Sequence, residues 1–213
     1  MTGRAAGITR YICVAFAILI AASMPANAHH QLPHDGGPIG IVIPAIPHGE
    51  MLVLAKYRAR ILEIAARQVP ADPTLRRLLG FVSLQHFACF WGLFPGSLSD
   101  ETSPFNECSH AYLAGTRALL EHLVTMPGDQ SSAKVLQASI AEELASDPTF
   151  AALCVNSSEA FDSGIIVGPD WQLAATHLPT LITFSLFAVA LAGLVCSALA
   201  LSRRRSSVRS DPA

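Results

Sequence analysis

The sequence predicts an all-α protein. A compact exported domain of four to five helices follows an extended His-rich arm and precedes one C-terminal transmembrane helix. Three observations carry this reading. Apolar residues recur at helical spacing through most of residues 49–177. Helix-start signals, Asp72-Pro73 and Ser103-Pro104, punctuate that stretch. Leu178 to Leu201 then runs uncharged and ends at Arg203-Arg204-Arg205. About 20 apolar residues cross a hydrocarbon core, and flanking basic residues stay on the cytoplasmic side.

Residues 1–28 have the three parts of a cleavable secretory signal. Arg4 and Arg10 supply the basic start, Tyr11–Ala22 is apolar, and Ala26 and Ala28 are the small residues before a cut. Its 12 apolar residues span about 18 Å as a helix, too short for a core of about 30 Å. Cleavage after Ala28 puts the N-terminus outside. The helix at 178–201 then crosses inward, and residues 202–213 form a basic cytoplasmic tail. The expected address is a bacterial inner membrane, single-pass, with the domain in the periplasm.

Residues 29–48 are rich in Pro, Gly and His and read as an extended arm, with a short strand at Ile39–Ile43. Glu50 to Gln68 is an amphipathic helix. Leu54, Tyr57, Ile61 and Ile64 share one face, and Lys56, Arg60, Glu63 and Arg67 share the other. Asp72 caps the next helix, with Pro73 in its first turn. From Leu78 to Phe94 that helix is apolar on nearly every side, with Ser83, Gln85 and His86 inside it. A second span there would put Arg76-Arg77 and the Arg203–Arg205 tail outside, against the charge rule. It reads instead as the central buried helix of the bundle, with His86 buried in it. Pro95-Gly96 ends it. Ser103-Pro104 opens a helix to about Val124, and Met126-Pro127-Gly128 breaks that one. Ser131–Ser146 is a further helix, Asp147-Pro148-Thr149 begins a short one, and Gly164–Gly168 is a loop. Trp171 and His177 suit the membrane interface.

Residues 29–177 hold 8 Lys and Arg against 15 Asp and Glu, and 11 of those acids lie in 100–177. That balance argues against nucleic acid or anionic lipid as a partner. It suits a cation or a basic membrane-protein partner.

Three cysteines, Cys89, Cys108 and Cys154, fall in the exported part, where disulfides persist. Cys89 and Cys108 stand at matching heights on the two arms of a helical hairpin, so they are expected to pair, leaving Cys154 as a free thiol. A Cys108–Cys154 bridge is the alternative. A zinc site from His86, Cys89, Cys108 and His110 competes, but residues two apart on a helix point about 200° away from each other.

The sharpest chemical expectation lies at the mature N-terminus. A chain starting His29-His30 offers an α-amine and imidazoles to one metal. Copper(II) favours such nitrogen sets. The metal-ligand candidates are His29, His30, His34 and His48, with copper as the expected cofactor. The opposing reading is an arm that happens to be His-rich. Glu107-x-x-His110 has the spacing of di-metal bundles but occurs once. Glu107, His110, Ala114, Arg117 and Glu121 read as a solvated stripe, opposite a core stripe of Cys108, Tyr112, Gly115 and Leu119. Hydrolase, nucleotide and Cys-x-x-Cys motifs are absent. The expected function is therefore a non-enzymatic, membrane-anchored periplasmic module that binds copper or another divalent ion. An assembly subunit of an inner-membrane complex is the alternative, and a metal-dependent oxidoreductase a lesser one.

Overall fold

The computed structural model describes residues 39–90, 96–128, 130–146 and 160–208, with side chains as far as Ala198. The signal at 1–28, His29, His30, His34, the start of the short helix expected at Asp147-Pro148-Thr149, and Cys154 lie outside the described residues. The chain is predominantly helical, as predicted. Among the described residues, β1 (Val42–Ile43) leads into α1 (His48–Arg67), α2 (Pro73–Ala88), α3 (Asn106–Thr125) and α4 (Gln130–Ser146). There follow β2 (Phe161–Asp162), the one-turn α5 (Trp171–Ala174) and α6 (Leu178–Val208).

The starts and stops follow local chemistry. Asp72 takes the extended conformation before α2 and accepts a hydrogen bond from the Leu75 amide at 2.6 Å. Pro73 then stands at the first helical position, where its missing N–H costs nothing. The carboxylate of Asp72 also meets His122 Nε2 on α3 at 2.9 Å, so one side chain caps one helix and ties down another. Between α3 and α4, Gly128 turns the chain with φ of 121°, a backbone conformation that favours glycine.

The core corrects the expected centre of the bundle. α3, not the apolar helix at 78–94, is the central element. It buries Cys108 through Thr116 without a break, then Leu119, Leu120 and Leu123. α2 buries one face, Leu75, Leu78, Phe81, Val82 and Gln85, and exposes Arg76, Arg77, Ser83, Leu84 and Phe87. α2 packs closely on α3: a Cβ at Gly115 would stand 2.7 Å from Phe81 Cε1. α1 and α4 pack on α3 and on each other. Tyr57 on α1 donates to Glu143 Oε2 on α4 at 2.9 Å, and Lys56 pairs with the other oxygen.

Part of the N-terminal arm is held against this bundle. β1 pairs antiparallel with β2, Val42 opposite Asp162 and Ile43 opposite Phe161. The Ile39 amide donates to Asp162 Oδ2 and the Ile41 amide to Ser163 Oγ, both at 2.7 Å. Ile43 and Ile46 are buried in the core. The strand is shorter than the Ile39–Ile43 expected, and β2 carries no period-2 pattern long enough to be read from sequence.

α6 contains the one helix segment among the described residues, Leu178–Ala198, long and apolar enough to cross a membrane. Its flank is pinned to the bundle. The Asp170 amide donates to the Pro104 carbonyl at 2.8 Å, and His177 Nε2 donates to Asp100 Oδ2 at 2.9 Å. His177 Nδ1 lies 2.7 Å from Thr180 Oγ1 in the first turn of α6.

Candidate metal site

The described histidines sort into three environments. His122 and His177 are structural, each with its Nε2 on a carboxylate. His86, expected to be buried, is exposed; the buried residue at this turn is its neighbour Gln85. The His86 ring only edges that of Tyr112, at 5.3 Å between centres. The helix face toward α3 runs through Phe81, Val82 and Gln85, and residue 86 lies about 100° round from residue 85.

His48 and His110 are the third environment. His48, the first residue of α1, ends the arm and starts the bundle. His110 lies in the second turn of α3. It is 2 % exposed, which corrects its expected place on a solvated stripe. Glu107 is exposed while His110 and Ala114 are buried, so that stripe is divided. Arg117, further along, pairs with Glu50 of α1 and Glu121 of its own helix. The His48 and His110 rings meet edge-on, 5.6 Å between centres and 65° between planes.

Both rings carry a sealed nitrogen with no hydrogen-bond partner, Nδ1 of His48 and Nε2 of His110, and Ser109 Oγ is a third such atom. Burial depresses the His110 pKa from its ordinary value to about 4, and the nearby charge of His48 acts in the same direction. His110 is therefore neutral at physiological pH, the form in which imidazole binds metal. Among the described residues, no three His, Cys, Asp or Glu side chains converge as a ready-made metal cluster.

Cys89 and Cys108 form a disulfide, with Cα atoms 5.6 Å apart. The bridge joins the end of α2 to the first turn of α3. It consumes both thiols of the competing four-ligand zinc reading, and it takes Cys108 away from Cys154. Cys196 is a free thiol exposed on α6. Comparisons with protein-family models, curated proteins and solved structures found no match to this chain.

Proposed function

We propose that this chain is a single-pass membrane protein whose helical domain faces the exported side and binds copper or a related divalent ion, without catalysing a reaction of its own. Its ligand pool is His29, His30, His34 and His48. The observation that carries the reading is the buried, unpartnered Nδ1 of His48, at the junction of the His-rich arm and the bundle. Buried polar atoms in folded proteins nearly always have partners, and an orphan calls for an ion or water. The helix Leu178–Ala198 supplies the anchor, and Arg203–Arg205 its inward end.

The test is intact mass together with metal content of the membrane-extracted mature protein. The reading predicts a chain starting at His29 and about one bound ion. Inserting Ala before His29 removes the N-terminal amine-imidazole chelate and weakens binding. Unchanged metal content after that insertion removes His29 from the site.

A second reading, an assembly subunit of an inner-membrane complex, is favoured by Leu84 and Phe87. They stand 59 % and 78 % exposed on the outer face of α2. It predicts co-purification with membrane partners and no metal.

A further inference from the structure

We propose that His48 and His110 are joint ligands of one transition-metal ion, held between the first residue of α1 and the second turn of α3. This rests on the metal-binding reading above but adds a ligand from the heart of the bundle, outside the His-rich arm.

Three observations carry it. First, His48 Nδ1 and His110 Nε2 are both sealed and unpartnered. A buried polar group left unsatisfied costs about 1–3 kcal/mol. Two such atoms on adjacent rings call for a shared partner, and one ion, like one ordered water, satisfies both. Second, the spacing fits. A metal–nitrogen bond of about 2.0 Å places an ion about 3.2 Å from each ring centre, so rings 5.6 Å apart subtend about 120° at it. That angle lies near those of three- and four-coordinate ions. Third, the two ligands come from helices packed directly on each other. The pair is thus set by the fold rather than by a loose tail. Bis-imidazole donors suit Cu²⁺, Zn²⁺ and Ni²⁺.

The experiment uses the full mature chain in detergent, stripped by chelator and titrated with Cu²⁺ alone and Zn²⁺ alone. Three variants are compared with the parent: His48→Gln, His110→Phe, and Ala inserted before His29. Phe at 110 fills the buried volume and removes an orphaned polar atom, so the variant should fold. The proposal predicts that His48→Gln and His110→Phe each lower affinity at least about tenfold. The insertion variant loses the N-terminal amine chelate but keeps both imidazoles, so it binds more weakly than the parent and still measurably. Parental affinity in His110→Phe overturns the proposal; if the Ala insertion alone weakens binding, the N-terminal reading survives. No binding by the parent overturns both. Should His110→Phe fail circular dichroism, thermal stability decides. A Zn²⁺-induced rise in Tm that persists in the insertion variant and vanishes in His48→Gln supports the pair. A rise that persists in His48→Gln overturns it.

Discussion

Gln85 on α2 grips both backbone groups of Val167. Its Oε1 accepts from the Val167 amide at 3.0 Å, and its Nε2 donates to the Val167 carbonyl at 2.6 Å. The same Nε2 also donates to the Cys108 carbonyl at 3.2 Å. One fully buried side chain therefore joins α2, α3 and the loop that leads to the anchor. Gln85→Leu keeps the volume but leaves two backbone groups unpaired. It should cost about 3 kcal/mol in urea unfolding followed by circular dichroism. A loss below about 0.5 kcal/mol would show that water replaces the clamp.

The Cys89–Cys108 bridge closes a loop of 19 residues in sequence. Loop-closure entropy puts its contribution at about 3 kcal/mol, so the double variant Cys89→Ala, Cys108→Ala should lose about that much. The pairing itself is checked by thiol titration of the unfolded, unreduced mature chain. Two thiols, Cys154 and Cys196, are expected. Four would contradict the bridge.

His110 gives the metal-free protein a pH dependence. Its folded pKa is about 4, against about 6.5 unfolded. Between these values the unfolded chain binds the extra proton, so stability rises with pH. The contribution is complete above about pH 6.5 and is lost as the pH falls toward 4, in total about 3 kcal/mol. Urea midpoints measured in chelator at pH 7.5, 5.5 and 4 should fall less steeply in His110→Phe than in the parent. Parallel slopes would mean that His110 protonates freely in the fold.

Gly115 sets the α2–α3 approach, with Phe81 Cε1 and Cδ1 2.7 and 2.8 Å from any Cβ placed there. Gly115→Val should destabilise by about 2–3 kcal/mol. Phe81→Leu in the same chain should recover part of the loss, as a double-mutant cycle would show. No coupling would mean that the helices simply move apart.

Much of this architecture was legible where a residue's role is local. Asp72-Pro73 marks a helix start by its own chemistry, and the alternating faces of 50–68 name their own inside and outside. α2 was different. A helix apolar all round carries no preferred face in sequence, and it was Val167, 82 residues away, that selected Gln85 over His86 for burial. His110 was missed for a related reason. Glu107, Arg117 and Glu121 gave its stripe a solvated look, yet His48 lies against it. The short strand and turn at 39–47 have no periodicity to announce that they pack on the bundle. The one available signal was weak: His110 stands two residues from Cys108, in a helix already expected to pack on its neighbour.

If His48 and His110 share one ion, pulsed EPR of the full mature chain loaded with one equivalent of Cu²⁺ should count at least two coordinated imidazoles in the parent and one fewer in His110→Phe. An identical imidazole count in the two proteins would contradict it.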